Sequence, residues 1–472
     1  MTLLDEGRTA DNRRTDIDVG IAPGMEPNRD ADADKPPTGN RIVVVGNGMA
    51  GARTVEEILE RDPDRRFEIT MFGEEPYGNY NRILLSNLLA GVEQEDEIYL
   101  NALDWYREND ITLHTGAKVT KIDRWAKVIE AVTPEGTSTS TPYDILILAT
   151  GSRSFFPPLE GMRPADDPDG LVPGVFGFRT LDDTRAMAAY AEGHDTAVVI
   201  GGGLLGLEAA RGLQANHGLD VHVVHATDTL MNQQLVKVAG DILRKSVNDL
   251  GITVHMDARA AKIHTDPEQG DKVTALEFAN KTVIECDMIV VTAGIRPVTE
   301  LGEQAGLTVE RAIVVDDQMR SVDDDSIYVV GECAQHRGEV YGLVAPLWEQ
   351  GVVLAEHLTG ENPKAAYHGS RTATKLKVAG VDVAAIGLKA PERDTDEHIV
   401  FSEPKRGVYK SVIVRDDKLV GATLLGDVRK VAFLTQAFDN GLPLPEERVE
   451  LMFDIGGPAD DVSAEELADE TQ

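Results

Sequence analysis

The chain has 472 residues, a formal net charge of −35 and two cysteines, Cys286 and Cys333. So negative a charge disfavours binding to nucleic acid or to an anionic membrane, because their phosphates would be repelled. Two cysteines so far apart exclude a disulfide framework, a CxxC redox pair and a four-cysteine iron–sulfur cluster carried by this chain alone.

The length and the glycine content favour an α/β enzyme of about three domains. No apolar run approaches the roughly 18 to 20 residues that span a bilayer. Residues 1–39 contain neither a secretory nor a transit pattern, so we expect a cytoplasmic protein. The same residues are rich in Asp, Arg, Pro and Gly without periodicity, which predicts a disordered acidic arm.

The first predicted unit begins with a β-branched apolar run, Ile42–Val45, followed by the letters GNGMAG. This order predicts a buried strand, a tight turn and the start of a helix. Gly46 makes the turn, Gly48 lets the backbone approach a pyrophosphate, and Gly51 lets the helix pack on the strand. The helix N-terminus would then face the negative charge.

The same pattern returns about 155 residues later in TAVVIGGGLLGLE, with Gly201, Gly203 and Gly206 at the equivalent positions. A single copy could be an ordinary turn between a strand and a helix. Two copies, each followed by a predicted helix and a second strand, predict two nucleotide sites.

Residues that follow the first unit predict further contacts with the first nucleotide. Glu74 ends the second strand, where a carboxylate can accept hydrogen bonds from ribose hydroxyls; the alternative is a solvated turn glutamate. Arg82 stands among apolar residues, and we expect it to meet an anion, with the cofactor pyrophosphate or a flavin edge as its partner. Thr150 and Gly151 end another buried strand and would bring backbone close to the same nucleotide.

The density of Pro and Gly between 152 and 179 predicts a crossing between domains. The second unit then continues to about residue 285, and MIVVTAGIR at 288–296 is the counterpart of the strand that ends in ATG. The letters IYVVGECA at 327–334 predict a strand and a glycine–acid turn that contains Glu332. A helix is predicted within 341–351.

From about residue 367 the pattern changes to alternating strands, among them Ser411–Arg415 and Leu419–Leu425, and an apolar helix at 428–440. This order predicts a small α+β domain. The acidic, non-periodic end predicts a disordered tail. The predicted domains are an arm at 1–39, a first nucleotide-binding domain at 40–160 and 286–365, a second at 161–285, a C-terminal domain at 366–453 and a tail at 454–472.

The motifs GNGMAG, ATG, GGGLLGLE, TAGIRP and GECA occur in this order and resemble the pyridine-nucleotide-disulfide oxidoreductase family. Within it, residues 41–453 are most similar to the flavoprotein module of NAD(P)H nitrite reductase large subunits, through FGEEPYGNYNRILLS, GGGLLGLEAARGLQ and GECAQHRGEVYGLVAP. The resemblance implies an α/β fold like that of glutathione reductase, with two Rossmann-like dinucleotide-binding domains and the small C-terminal α+β domain.

The resemblance also implies FAD on the first unit and NAD(P)H on the second, with the flavin carrying the chemistry and no catalytic side chain or metal. Glu208 would orient the nicotinamide carboxamide, whereas Trp348 would either cover a flavin edge or pack in the core. The implied FAD contacts are Gly46, Gly48, Met49, Ala50, Gly51, Glu74, Arg82, Thr150, Gly151, Gly331, Glu332 and Trp348. The implied NAD(P)H contacts are Gly201, Gly203, Leu204, Leu205, Gly206, Glu208, His225 and Gly294.

Two departures from the family qualify this interpretation. The sequence stops at Gln472, where those enzymes continue into iron–sulfur and sirohaem modules. We therefore expect either an excised module or a stand-alone electron-delivery subunit. Its electrons would pass to a separate iron–sulfur or sirohaem acceptor protein or domain, in nitrite or nitrate assimilation. His225 stands where NADH-preferring relatives often carry an acid and NADPH-preferring ones an arginine cluster, so the choice between NADH and NADPH stays open.

Two other functions share the nucleotide features. One is a rubredoxin or ferredoxin reductase, and the other is a slow-turnover FAD- and NADH-binding regulatory protein. A disulfide reductase is disfavoured, because the motif CxxxxC is absent after the first helix. A single thiol such as Cys333 more often packs in the core than takes part in chemistry. A homodimer is possible in each case.

Overall fold

The computed structural model describes residues 39–378 and 380–453. The tail predicted at 454–472 and the arm predicted at 1–39, apart from Gly39, lie outside these residues. The helices are α1 Met49–Arg61, α2 Leu85–Leu89, α3 Leu103–Glu108, α4 Leu181–Ala191, α5 Leu204–His217, α6 Lys237–Asp249, α7 Glu300–Gln304, α8 Val344–Thr359 and α9 Val431–Asn440.

The first unit is built on a five-stranded parallel sheet, and its central strand is the apolar run before the first glycine motif. The last four residues of that strand are buried, as expected for a parallel sheet covered on both faces. Helix α1 packs against α8, where Gly351 lies close to Thr54. In spatial order the strands are Ile327–Val329, Ile145–Leu148, Arg41–Val45, Glu68–Gly73 and Thr112–Thr115.

The second unit repeats this plan with its own five-stranded parallel sheet. In spatial order its strands are Val175–Gly177, Met288–Val291, Thr196–Ile200, Asp220–Val224 and Thr253–His255. The boundary predicted at 285 leaves Met288–Val291 out of this unit, whereas its pairing with Thr196–Ile200 places it in the second sheet. The other predicted boundaries stay predictions.

Each unit also carries a three-stranded antiparallel meander. The first consists of Lys118–Asp123, Val128–Val132 and Ser138–Pro142, and the second of Ala260–Asp266, Lys272–Phe278 and Val283–Glu285. Three short pairs complete the two units: Asn79–Tyr80 with Tyr99–Asn101, Ser152–Ser154 with Ile295–Pro297, and Ile313–Val315 with Ala334–His336. The pair that joins residues 152–154 to 295–297 lies where the chain crosses between the units.

The C-terminal domain is a five-stranded antiparallel sheet covered on one side by α9. Val378, Val383, Tyr409 and Leu425 belong to the same core cluster as the second unit, so the sheet rests against that unit. The strand order is Ala373–Val378, Val381–Gly387, Lys418–Leu425, Val408–Arg415 and Glu397–Glu403. The predicted α/β fold with two Rossmann-like units and a small C-terminal domain is confirmed.

Among the described residues, none of the helices combines the length and the apolarity that crossing a membrane requires.

Candidate functional site

The two glycine turns have the same geometry. Gly46 and Gly201 both have positive φ, 117° and 130°, a region that favours glycine. A Cβ atom on Gly46 would lie 2.1 Å from the carbonyl oxygen of Ala149, and one on Gly201 would lie 2.5 Å from that of Thr292. Each turn therefore lies directly against the end of a neighbouring parallel strand.

The third glycine of each motif lets the helix start close to the turn. A Cβ atom on Gly51 would lie 2.2 Å from the carbonyl oxygen of Gly46, and one on Gly206 would lie 2.0 Å from that of Gly201. A larger residue would push α1 or α5 away from its own turn. The N-termini of both helices are thus held at the carboxyl ends of the sheets, where ligands bind in this type of fold.

The middle glycines leave open space in front of these N-termini. Gly48 and Gly203 are the N-cap residues, and a Cβ atom on Gly203 would meet no atom within 4 Å. On Gly48 the nearest atom would be Nε of Arg82, at 4.0 Å. Neither helix has a side-chain cap or an acid in its first turn. The free amide groups fit the pyrophosphate of a dinucleotide.

A cavity of about 1410 Å³ lies beside the first turn. Small-molecule pockets typically measure roughly 300–1,000 Å³, so this volume suits a ligand as large as FAD. Glu74 faces this cavity and its carboxylate accepts a 2.9 Å hydrogen bond from Nζ of Lys118. The predicted FAD contacts that line the cavity are Gly46, Gly48, Glu74, Arg82, Thr150 and Gly151.

Other predicted FAD contacts lie behind this lining or away from it. Met49, Ala50 and Gly51 are buried at the start of α1, and Gly331 and Glu332 are buried just after the strand Ile327–Val329. Trp348 is not among the residues that line the cavity. Its ring is 39% exposed on α8, with the Arg53 guanidinium 5.6 Å from its centre. A contact of Trp348 with the cofactor therefore stays a prediction.

Arg82 has a partner that the sequence analysis missed. Its guanidinium forms an ion pair with Glu75, whose other oxygen accepts a 2.5 Å hydrogen bond from the hydroxyl of Tyr80. Arg82 also donates to the carbonyl oxygen of Arg179 at 3.1 Å. Within the chain, Arg82 thus pairs with the second glutamate of the letters GEE, which follows Glu74, and its contact with the cofactor stays a prediction.

Glu332 is 7% exposed and is neutralised in the same region. It forms an ion pair with Arg179 and accepts a 2.7 Å hydrogen bond from the hydroxyl of Ser152. Arg179 and Ser152 line the cavity, and Arg179 comes from the predicted crossing between domains. Sequence reasoning treated that crossing as a connection only, since no motif in it pointed to a site.

On the second unit, Glu208 lies in the first part of α5, where α2 of the first unit packs against it. Burial raises the pKa of Glu208 to about 7, and a hydrogen bond with Ser86 opposes this shift. The carboxyl group therefore changes its protonation state near neutral pH, at the junction of the two units. Gly294 has positive φ and open space around its Cα, as Gly151 does in the first unit. Leu204 and Leu205 open α5.

The side chain of His225 forms a hydrogen bond with the second glycine turn. Its Nδ1 accepts a 3.0 Å hydrogen bond from the backbone amide of Gly202, so Nε2 carries the proton and donates to the carbonyl oxygen of Thr229, also at 3.0 Å. Burial lowers the pKa of His225, which favours this neutral form. Both ring nitrogens of His225 are thus engaged in hydrogen bonds with the backbone, one of them at the glycine turn.

Neither cysteine is placed for redox chemistry. Cys333 is fully buried and its thiol donates to the carbonyl oxygen of Val330 at 3.4 Å. Burial raises the pKa of Cys286 to about 12. Both thiols therefore remain protonated near neutral pH. Over the described ranges, no group of three or more His, Cys, Asp or Glu side chains could hold a metal ion.

Comparisons with known proteins agree with this architecture. The sequence model of the family described as pyridine nucleotide-disulphide oxidoreductase matches residues 40–352, and that of the rubredoxin NAD+ reductase C-terminal domain matches residues 373–442. The persulfide reductase of A. fulgidus, a solved structure, has a TM-score of 0.76 and 26% identity, covering 89% of this chain and 80% of that one. A ferredoxin reductase from Rhodopseudomonas palustris, at 23% identity, has the same TM-score and shares the fold; it covers 88% of this chain and 98% of that one.

Two curated proteins of Bacillus subtilis (strain 168) are more similar in sequence. Its nitrite reductase [NAD(P)H] is 45% identical over 387 residues, covering 82% of this chain and 46% of that protein. Its assimilatory nitrate reductase electron transfer subunit is 42% identical over 389 residues, covering 82% of this chain and 48% of that protein. The chain thus spans about half the length of these relatives. It belongs to the pyridine nucleotide-disulphide oxidoreductase family.

Proposed function

We propose that this chain delivers electrons from NAD(P)H, through FAD, to a separate iron–sulfur or sirohaem acceptor in nitrite or nitrate assimilation. The observation that carries the proposal is the pair of equivalent glycine turns, each with an open helix N-terminus, in one chain. The acceptor class is inferred from the two Bacillus relatives, which bear the names of nitrite reductase and of a nitrate reductase electron transfer subunit.

The residues of the first unit would hold FAD. When bound, FAD supplies hydride acceptance from a nicotinamide and release of electrons to an acceptor. The amides behind Gly48 would bind the pyrophosphate, and Glu74 would exchange its bond with Lys118 for the ribose hydroxyls. Arg82 adds positive charge to the same cavity, and Thr150 and Gly151 let the backbone approach closely.

The residues of the second unit would hold NAD(P)H. The amides behind Gly203 would bind its pyrophosphate, since the space in front of them is open. Glu208 would hydrogen bond the nicotinamide carboxamide. A carboxyl with a pKa of about 7 can donate in its protonated form and accept in its charged form, so either amide atom could be its partner.

Hydride transfer needs no side chain of this chain as an acid or a base. The buried, protonated thiols of Cys286 and Cys333 take no part in it, in contrast to the disulfide chemistry in the family's name. The protein would contribute orientation of the two nucleotides and the charges that surround them.

The proposal is tested by anaerobic stopped-flow spectroscopy of the purified protein, with NADH and NADPH mixed separately. We expect rapid bleaching of the flavin absorbance by at least one nucleotide, followed by reoxidation on adding a sirohaem nitrite-reducing domain. A band that persists with both nucleotides would refute the reductase, whereas bleaching without reoxidation would refute only the acceptor. Size-exclusion chromatography with light scattering and cell fractionation would test the predicted homodimer and the predicted cytoplasmic location.

A second candidate is a reductase for rubredoxin. It is favoured by the match of residues 373–442 to the rubredoxin reductase C-terminal domain and by the rubredoxin-NAD(+) reductase of Alcanivorax borkumensis. That protein is 30% identical over 393 residues, and the alignment covers 82% of this chain and 96% of that protein. Reoxidation of the reduced protein by rubredoxin faster than by the sirohaem acceptor would favour this candidate.

A further inference from the structure

Four charged side chains form a continuous wall beside the FAD cavity: Glu75, Arg82 and Arg179 line the cavity, and Glu332 is buried behind this lining. Arg82 forms an ion pair with Glu75 and donates through its other nitrogen to the backbone of Arg179 at 3.1 Å. The side chain of Arg179 forms an ion pair with Glu332. Along this charged wall the two bases lie between the two acids, and the two acids balance the two bases.

The charged wall is largely withdrawn from solvent. The side chains of Glu75, Arg82 and Arg179 are 26%, 25% and 24% exposed, and that of Glu332 is 9% exposed. Water therefore screens these charges less than it screens an ordinary surface pair. Removing one charge from such a wall changes the electrostatic potential in the adjacent cavity more than an exposed substitution would.

Hydrogen bonds hold the charged wall at both ends. At one end, the Tyr80 hydroxyl donates to Glu75 at 2.5 Å and accepts from the backbone amide of Leu181 at 3.0 Å, the first residue of α4. At the other end, Ser152 donates to Glu332 at 2.7 Å. The wall thus joins the first unit to the start of the second, and its geometry depends on both.

We propose that Glu75 and Arg179 are positioning residues, which hold Arg82 and Glu332 at the FAD cavity and set the reduction potential of bound FAD by their charges. The inference rests on FAD as the cofactor in the proposed function, and not on the identity of the acceptor. Reduction adds negative charge to the flavin. A more positive wall therefore favours the reduced form, and a more negative wall opposes it.

The signs of two substitutions test this role. Glu75→Gln removes a negative charge and should shift the reduction potential of the bound FAD to a more positive value. Arg179→Met removes a positive charge and should shift it to a more negative value. The double variant should return close to the wild-type potential, since the two changes cancel. Potentials are measured at pH 8 on purified holoenzyme by dye equilibration with a chemical reductant.

Glu130→Gln is the matched control, because Glu130 forms an exposed pair with Lys121 on the first meander. This variant should keep the wild-type potential. Shifts of the same sign for Glu75→Gln and Arg179→Met, or no shift in either, would overturn the proposal. Because the reductant is chemical, a protein that NAD(P)H fails to reduce would refute the proposed function and leave this test intact.

The variants are also compared for FAD content and melting temperature, so that unfolding is recognised. If Arg179→Met loses FAD, Glu75→Gln is compared with Glu75→Asp instead, because Glu75→Asp keeps the charge and shortens the side chain. A positive shift in Glu75→Gln alone would then support the charge effect. An equal shift in both variants would overturn it, since only geometry would then be responsible.

Discussion

Gly46 and Gly201 occupy equivalent positions in the two turns, and a side chain fits at neither. Their positive φ and the neighbouring carbonyl oxygens act together, so the requirement for glycine is both conformational and steric. Gly48 and Gly203 differ from them, because a side chain there would project into space left for a ligand. Substitutions at these middle positions therefore test binding with little effect on the fold.

Gly203→Val should weaken NAD(P)H binding at least about tenfold, or about 1.4 kcal/mol, because the added side chain occupies the space in front of α5. FAD content should stay unchanged. The check is a nucleotide titration of the purified variant, with FAD measured by absorbance after release. The mirror variant Gly48→Val should lose FAD instead, and stoichiometric flavin in it would show that the two units are assigned in the wrong order.

Glu208 makes the stability of the protein depend on pH. Its pKa is about 7 in the folded protein and near 4.5 when unfolded, so the folded state binds the proton more tightly. Stability contributed by this group is complete below pH 4.5 and is lost as the pH rises to 7. Relative to wild type, Glu208→Gln should gain up to about 3 kcal/mol in free energy of unfolding between pH 4.5 and 8.

The measurement is the denaturant midpoint of both proteins at pH 5 and pH 8. If the difference in stability between wild type and Glu208→Gln does not grow with pH, the raised pKa of Glu208 is not a cause of the pH dependence. Flavin reduction by NAD(P)H should also be slower in Glu208→Gln at a similar FAD content. Unchanged reduction kinetics would place Glu208 outside the nicotinamide site.

At the scale of elements, the carboxyl ends of the two parallel sheets bring each helix N-terminus to its glycine turn. The same packing places α2 of the first unit against α5 of the second, where Glu208 meets Ser86. In the C-terminal sheet, a buried lysine makes the contacts that hold the strands to the end of the domain. Lys410 is 1% exposed, and its ammonium group donates to Asp427 and to the carbonyl oxygen of Met452, each at 2.8 Å.

Lys410→Met should destabilise the protein by about 3 kcal/mol, because it leaves Asp427 and a backbone carbonyl without their buried donor. Arg429 still pairs with Asp427, which puts the loss at the low end of the range for buried pairs. Urea unfolding followed by circular dichroism measures the effect. Lys405→Met, at an exposed position, is the control, and an equal loss there would contradict a specific role for Lys410.

At the scale of the whole molecule, the net charge of −35 acts on every charged reaction partner. Such a field attracts cations and repels anions over about a Debye length, roughly 10 Å at 0.1 M ionic strength. It bears on electron delivery, because an acceptor must approach this negative surface. The sign of the field can be tested before the natural acceptor is known.

Hexaammineruthenium(III) and ferricyanide are small one-electron acceptors of opposite charge. The rate at which the NAD(P)H-reduced protein reduces the cationic complex should fall as ionic strength rises, and the rate with the anionic complex should increase. Stopped-flow reoxidation of the flavin measures both. Equal salt dependence for the two complexes would show that the region around the flavin does not share the sign of the net charge.

The sequence alone determined the two Rossmann-like units and their glycine turns, because glycine spacing and buried apolar strands are local patterns that depend on short-range geometry. The prediction for Glu332 came from the family resemblance, and the structure adds its partners Arg179 and Ser152. The interpretation of Trp348 left two possibilities, and the packing of α8 against α1 turned its ring toward Arg53.

Only the tertiary structure decided which charged residues meet. Glu75 and Glu332 are 257 positions apart in the sequence, yet the chain of contacts through Arg82 and Arg179 joins them along one cavity. No periodic pattern in the sequence predicts such a pairing, because the pairing depends on how two sheets and a crossing segment come together. The sequence therefore determined the two glycine turns, and the packing of the units determined the electrostatic environment of the cavity beside the first turn.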